Sequence, residues 1–200
     1  MKFCDRPSGC VTIRVRNTGR ERVKVMQEQE EWPAAGLNRR KLSGVELEVF
    51  FAGIRARHIR DVVTFLCIGT DRSTGDALGP LVGTKLTDLG FGQVIGTLRE
   101  PCDATNLERR MAEIPEGRVI IAIDACLGMS DSVGYYLVSG QPLQPAQSVG
   151  ASLPEVGHYS IAAVVNVKGP KPYWTLQMTS LYKVMQMADE IAGAAASAFG

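Results

Sequence analysis

Two long apolar runs limit the folds open to this chain: DVVTFLCIG (residues 61–69) and EGRVIIAIDACLG (residues 116–128). Neither run shows the polar alternation of a half-exposed strand, so each predicts a strand buried on both faces. Segments with helical spacing stand before, between and after them, at residues 45–60, 76–90, 103–114 and 175–199. Strands that alternate with helices predict an α/β domain with a largely parallel central sheet.

Three further segments have the composition of strands. GQVIGTL (92–98) predicts a short strand, and HYSIAAVVNV (158–167) predicts a longer one. GYYLVSG (134–140) follows the second apolar run too closely for a crossover helix, so we expect it to pair antiparallel or to lie at an edge. The closing helix carries Leu and Met residues at helical spacing, which we interpret as core packing.

Charge divides the chain into two regions. Residues 1–44 carry ten Lys or Arg against five Asp or Glu, whereas residues 45–200 carry twelve against sixteen. We interpret residues 1–44 as a flexible basic extension, either a partner-binding or regulatory segment or a simple tail, and residues 45–200 as a single α/β domain. The formal net charge of +1 argues against a nucleic-acid partner.

The five cysteines are odd in number and form no CxxC pair, which argues against a disulfide framework or a zinc knuckle. A reducing, cytoplasmic compartment fits this usage best. The sequence has no secretory signal and no apolar run long enough for a membrane span, so we expect no membrane partner. The oligomeric state is left open.

The loop CIGTDRSTGDALGPLVG (67–83) is rich in glycine but does not match a phosphate-binding loop. The first two glycines, Gly69 and Gly75, are too far apart for the GxGxxG pattern. Asp76 stands where a Walker A loop needs lysine, and its carboxylate would repel a phosphate. The loop is therefore better read as one that presents a carboxylate.

Acidic residues follow both apolar runs. Asp71 and Asp76 come after the first, and Asp124 closes the apolar part of the second. Ligands of open α/β sheets bind beyond the carboxyl ends of the strands, where two acids could polarise a water, share a proton or hold a metal. Asp76 could instead be a helix N-cap and Asp71 a turn residue. For Asp124 a purely structural role is less natural, because an acid after Val, Ile and Ala loses solvation.

The remaining reactive side chains give weaker signals. His158 stands between a long Pro/Gly loop and a strand, where it could reach the acids as a third polar group or metal ligand, or bond to backbone at the strand edge. His58 lies on a basic helix and is expected to be solvated. Cys126 is a poor nucleophile because nearby Asp124 would raise its pKa. No GxSxG elbow is present.

The motifs IGTDRSTGDALGPLVG and IAIDACLG, followed by a Pro/Gly loop and IAAVVNV, resemble the spore-protease superfamily, in particular its YyaC-type family. Related families are the germination protease and the hydrogenase-maturation endopeptidases. The resemblance runs from about Val62 to the closing helix. It implies a three-layer α/β/α sandwich of the phosphorylase/hydrolase-like type with a mostly parallel mixed sheet. It also implies Asp76 and Asp124 as the functional pair; in the hydrogenase-maturation enzymes the equivalent acids and a histidine contact nickel of the substrate.

These observations lead to the hypothesis of an endopeptidase of sporulation or germination, acting in the cytoplasm of the mother cell or developing spore. Asp76 and Asp124 would flank one water, and the substrate would be a protein or peptide, for example a spore protein. We expect no cofactor, or else a divalent metal on the two acids and His158. The expected substrate-binding residues are Gly69, Thr70, Asp71, Gly75 and His158. The alternatives are a non-catalytic module that binds a protein or metal-bearing partner, and a metal-dependent hydrolase.

Overall fold

The computed structural model describes residues 39–145 and 153–200. Within them, six strands form one mixed sheet in the order β1-β5-β6-β4-β2-β3. The strands are β1 Arg40–Leu42, β2 Val63–Cys67, β3 Val94–Ile95, β4 Val119–Gly128, β5 Tyr136–Ser139 and β6 Tyr159–Val167. Strands β3, β2, β4 and β6 run parallel. Strand β5 pairs antiparallel with both β6 and β1, so β1 runs in the direction of the parallel strands. The predicted mostly parallel mixed sheet is therefore confirmed.

Helices cover both faces of the sheet and make the fold the predicted three-layer α/β/α sandwich. They are α1 Leu47–Arg55, α2 Leu78–Asp88, α3 Leu107–Ala112, α4 Pro172–Gln177 and α5 Leu181–Phe199. Helices α1, α2 and α5 share one apolar core with the sheet, while α3 belongs to a smaller core on the other face. None of the helices in the described part of the chain is long and apolar enough to cross a membrane.

Side-chain pattern explains where these elements bury their faces. All five residues of β2 are buried, as expected for a central strand covered on both sides. In α1 the buried residues are Leu47, Phe50, Phe51 and Ile54, which the helical period gathers on one stripe. The stripe packs against α5, and Phe51 contacts Phe199 at the end of α5 edge to face.

Two predictions about individual segments need correction. Arg40–Leu42 lie inside the predicted extension, yet they form β1 and pair with β5. The Leu42 side chain is buried in the apolar core. Residues 1–38 lie outside the described residues.

In and before α5, Met187 packs in the core as expected, but Met178 and Met185 are exposed. The predicted antiparallel placement of residues 134–140 is confirmed by the pairing of β5 with β6.

Two glycines let α2 lie directly on the backbone just after β2 and just after β3. A Cβ at Gly79 would stand 2.0 Å from the Ile68 carbonyl oxygen, and one at Gly83 would stand 2.0 Å from the Gly96 carbonyl oxygen. Real Cβ atoms do not approach oxygen so closely, so any side chain here would push the helix away from the sheet. The helix that follows the Asp76 loop is therefore held close to the sheet.

We expect Gly83→Ala to lower the free energy of unfolding by about 2 kcal/mol or more, because the new methyl group must displace backbone rather than a flexible side chain. The matched control is Gly193→Ala in α5, where an added Cβ meets nothing within 4 Å. That substitution should stabilise the chain by about 0.5–1 kcal/mol through helix propensity. Denaturant titration of both variants measures the difference, and equal effects would contradict the close contact.

Candidate functional site

The site lies where β2 ends beside the middle of β4. Cys67, the last residue of β2, pairs with Ile123, and the Ile68 amide donates to the Ile123 carbonyl over 2.7 Å. The next residue of β4 is Asp124, which therefore stands beside Ile68 across the strand spacing of about 4.8 Å. Strand β4 continues to Gly128 with β6 on its other side.

Asp76 returns to the same corner from the start of α2. The Thr70 amide donates to the Asp76 carbonyl over 3.2 Å, and a Cβ at Gly69 would stand 2.0 Å from that carbonyl oxygen. Gly69 also has φ +147°, a conformation that favours glycine. Since Gly69 follows Ile68, the structure brings the backbones of Asp76 and Asp124 to one corner at the carboxyl edge of the sheet.

Asp76 is not the N-cap of α2. The helix begins at Leu78, Ala77 occupies the cap position, and no side chain makes a capping hydrogen bond there. Burial raises the pKa of the Asp76 carboxyl above its ordinary value, and the neighbouring Ser73 hydroxyl partly opposes this shift. Ser73 Oγ is itself buried and makes no hydrogen bond of regular geometry with a described residue. Asp76 thus loses solvation without the structural reason that a cap would provide.

Asp124 is held in a different environment. It is half-buried, and its Oδ1 accepts a hydrogen bond of 2.8 Å from the Ala125 amide. Amides alternate in direction along a strand, so the Ala125 amide faces the side that β2 has just left. This bond turns the carboxylate toward that gap.

A third carboxylate, that of Asp103, lies at the same edge. The Gly69 amide donates to the carbonyl of Cys102 over 2.8 Å, which brings the loop after β3 against the loop after β2. Asp103 Oδ2 accepts from Arg72 over 2.8 Å, and its Oδ1 accepts from the Thr105 amide and hydroxyl. Burial acts to raise the pKa of Asp103, but the bonds from Thr105 and the Arg72 charge outweigh it and lower the pKa.

Sequence reasoning missed Asp103 because β3 has only two residues and gives no apolar run that ends at an acid. The available signal was the D-x-T turn at Asp103–Thr105, in which an aspartate accepts from the residue two positions ahead. In the structure this acid organises the loop: it joins Arg72, which also donates to Thr70 Oγ1 over 3.1 Å. Thr70 is therefore tied into the loop network.

Three amides of the loop after β2 are already used as donors inside the fold. The Gly69 amide donates to Cys102, the Thr70 amide to Asp76 and the Gly75 amide to Leu176, each within the chain. A donor that is already used inside the fold is not available to a developing oxyanion. These amides shape the loop instead, and Asp71 lies exposed on it.

His158 lies at the opposite end of the strands from the two acids. Its Nδ1 accepts from the Ile120 amide over 3.0 Å, and its own amide donates to the Ile120 carbonyl over 2.8 Å. Ile120 precedes Asp124 by four residues, which is about 13 Å along a strand. The structure therefore does not bring His158 to Asp76 and Asp124, and the alternative of a strand-edge histidine bonded to backbone is the one it adopts.

The same geometry bears on a metal. Among residues 39–145 and 153–200, no three His, Cys, Asp or Glu side chains come together as a metal site. The predicted set of Asp76, Asp124 and His158 thus does not fit a metal held by all three. His58 is also not simply solvated: its Nε2 lies 3.0 Å from the Tyr159 hydroxyl, and burial lowers its pKa.

Cys126 stays a thiol in this environment. Burial, and then the negative charge of Asp124, raise its pKa to about 12. At neutral pH a thiol with that pKa contains almost no thiolate, the form that acts as a nucleophile. The geometry supports the sequence argument that the acids, rather than the cysteine, carry any chemistry at this edge.

The chain matches the family model described as "Protein of unknown function (DUF1256)" over residues 46–194. It belongs to this family. It is also 44% identical over 135 residues to a protein of Bacillus subtilis (strain 168) described as "Uncharacterized protein YyaC". The match covers 65% of this chain and 66% of that relative, just under two thirds of its length. The predicted YyaC-type family is therefore confirmed, and the relative's description names no activity.

One solved structure is more distantly similar: the [NiFe] hydrogenase maturation protease HycI from Thermococcus kodakarensis KOD1. The identity is 15%, the TM-score is 0.40, and the match covers 68% of this chain and 97% of that one. A likeness at this level supports no inference about this chain.

Asp76→Asn should raise the melting temperature at pH 7. Because burial raises the carboxyl's pKa, the folded chain favours the protonated form and is destabilised as the pH rises through the folded-state pKa. Asparagine cannot ionise, so this penalty disappears. Near pH 3, below the ordinary carboxyl pKa of about 3.9, the substitution should have little effect.

Thermal unfolding at both pH values measures this difference, with Asp71→Asn as the exposed control. The control should change the melting temperature little at either pH. A loss of stability at pH 7 in Asp76→Asn would instead indicate that the fold stabilises the ionised carboxylate, and it would contradict the raised pKa.

Proposed function

We propose that this protein is an endopeptidase that hydrolyses peptide bonds with Asp76 and Asp124 as its catalytic pair. The observation that carries the proposal is the close contact between the Asp76 carbonyl and Gly69. Gly69 follows Ile68, which lies beside Asp124 where β2 ends along β4. Two acids at one corner of a strand edge, with different environments, are the arrangement that acid–base hydrolysis needs.

The environments suggest which acid has which role. Burial raises the pKa of Asp76, so we assign the proton to it, and we assign the role of base to Asp124, whose Oδ1 accepts from the Ala125 amide. Asp124 would remove a proton from a water as the water oxygen bonds to the peptide carbonyl carbon. Asp76 would give its proton to the amide nitrogen as the C–N bond breaks. A proton then passes from Asp124 through water to Asp76, and the products are a carboxylic acid and an amine.

The loop after β2 would guide the substrate rather than supply amide donors. Its residues Gly69, Thr70 and Gly75 are fixed by internal hydrogen bonds, so the peptide would meet a preformed wall. We expect the protonated Asp76 to face the carbonyl oxygen, where negative charge develops. A peptide or protein substrate is proposed on this basis.

The biological setting is part of the same proposal. The resemblance of the D-A-L-G-P and I-A-I-D motifs to the spore-protease superfamily supports a substrate among spore proteins. It also supports activity in sporulation or germination, in the mother cell or the developing spore. No step of the proposed reaction runs through a metal, because His158 is remote from the acids.

Asp124→Asn should reduce cleavage of small acid-soluble spore proteins by at least about 10²-fold, because the general base is lost. Asparagine can still accept the Ala125 amide, so the melting temperature should stay within about 1 °C. Cleavage is followed by gel electrophoresis with the purified full chain, with and without EDTA.

The matched control is Asp88→Asn, an exposed acid at the end of α2, which should cleave at the full rate. Undiminished cleavage by Asp124→Asn would contradict the acid-pair mechanism. If the unsubstituted chain binds these proteins and cleaves none, the non-catalytic binding module is the correct reading. Loss of cleavage in EDTA alone would favour the metal-dependent hydrolase.

A further inference from the structure

Helix α4, the turn after it and the first turns of α5 expose an unusual amount of apolar surface. Within the described residues, six large apolar side chains in this region are more than 40% exposed, and Met178 and Tyr182 are about 80% exposed. We call them the α4–α5 patch: Tyr173, Trp174, Met178, Leu181, Tyr182 and Met185. Single exposed apolar residues are common, but a contiguous group of this kind marks an interaction surface.

The members of each half of the patch are neighbours in space. The Met178 amide donates to the Trp174 carbonyl, so these residues lie one turn apart, and the Tyr173 and Trp174 rings are in contact at 6.1 Å between centroids. In α5, Leu181 and Met185 are four residues apart on one side of the helix, with Tyr182 adjoining. Only the turn at residues 178–180 separates the two halves.

The patch rests on a firm base. Leu176 and Thr179 are buried beneath it. Asn166 of β6 donates to the Thr175 carbonyl and to the Thr179 hydroxyl, which fixes α4 and the following turn to the sheet. A surface whose support is fixed pays little ordering entropy when a partner binds.

From the start of β6 to the middle of α5 the charged residues are lysines, and the acids that follow begin with Asp189, which pairs with Lys85. Residues 156–188 contain Lys168, Lys171 and Lys183 and no Asp or Glu. None of these lysines forms an ion pair within residues 39–145 and 153–200. The Lys183 side chain reaches the turn before β5, whose acid Asp131 lies 3.7 Å from Lys41. The patch therefore combines aromatic and thioether surface with unpaired positive charge.

The patch adjoins the candidate catalytic site. Leu176 accepts the Gly75 amide over 2.9 Å, and Gly75 precedes Asp76 in the chain. A polypeptide that lay along α4 would enter the corner between Asp76 and Asp124 from this side. The loop that Leu176 holds also carries exposed Asp71, which would disfavour acidic side chains at that end of the path.

We propose that the α4–α5 patch docks an acidic polypeptide segment with interspersed apolar side chains and so delivers it to the two acids; this rests on the proposed function. Apolar anchors would pack on the exposed rings and methionines, and carboxylates would meet the three lysines. Two copies of the chain joined symmetrically through the patch would place lysines against lysines. The three lysines and the net charge of +1 also supply too little positive charge to bind the phosphate backbone of a nucleic acid.

The experiment measures binding of a fluorescent synthetic peptide in which glutamate alternates with leucine and phenylalanine. The full chain carries Asp124→Asn so that the peptide is not cleaved. The acidic peptide should bind, and its counterpart with lysine at every glutamate position should not. Tyr182→Ser should weaken binding about tenfold because it removes an apolar side chain that the bound peptide would cover. Lys171→Glu should weaken it about tenfold because it reverses a charge that would meet a carboxylate of the peptide.

Matched controls lie on α1 and just before it, away from α4. Val45→Ser replaces an apolar residue that is 83% exposed, and Arg55→Glu reverses an exposed charge. Both should bind the peptide as the parent chain does. Because all four sites are on the surface, unfolding curves should coincide, which separates loss of binding from loss of fold.

Equal binding of both peptides, or unchanged binding in Tyr182→Ser, would overturn the proposal. So would Tyr182-dependent binding of oligothymidylate or Tyr182-dependent dimerisation in place of peptide binding. If the peptide binds but the chain with Asp124 intact cleaves no spore protein, the docking surface stands and the endopeptidase is overturned. Cleavage of spore proteins at the full rate by Tyr182→Ser and Lys171→Glu, with Asp124 intact, would do the reverse.

Discussion

The close contact between helix α2 and the end of strand β2 determines the geometry of everything around it. Gly79 and Gly83 let the helix touch the backbone at Ile68 and Gly96, and Gly69 lets the Asp76 carbonyl lie against the strand end. A larger residue at any of these positions would move the helix outward, and the carboxylate with it. The acid's position is thus set by backbone packing rather than by hydrogen bonds of its own side chain.

The two acids differ because the same corner offers them different partners. Asp76 is desolvated by the helix and strand that pack around it, whereas Asp124 receives an amide that β2 leaves unused when it ends. A strand that ends before its neighbour therefore creates both the space and the donor. The amides of Gly69, Thr70 and Gly75 behave in the opposite way, because they donate to carbonyl groups inside the chain and so fix the loop.

Much of this arrangement was predictable from sequence. Two apolar runs that end near acids predict adjacent parallel central strands, and the structure pairs β2 with β4 in this way, although β4 runs on to Gly128 beyond the end of β2. The position of His158 was not predictable in the same way, because a residue between a loop and a strand can lie at either end of the sheet until the direction of β6 is known. The exposed Met178 and Met185 share helical spacing with buried Met187, and spacing alone does not say which face meets the sheet. Asp103 was not predicted because β3, with only two residues, gives no apolar run that ends near it.

Within residues 39–145 and 153–200, both edges of the sheet are formed by its shortest strands, three residues in β1 and two in β3. A long unpaired edge would invite another chain to add a strand through backbone hydrogen bonds, and that kind of association is insensitive to side-chain identity. Edges this brief offer few backbone groups for such pairing. Contacts with other macromolecules must then be made through side chains, which can discriminate between partners.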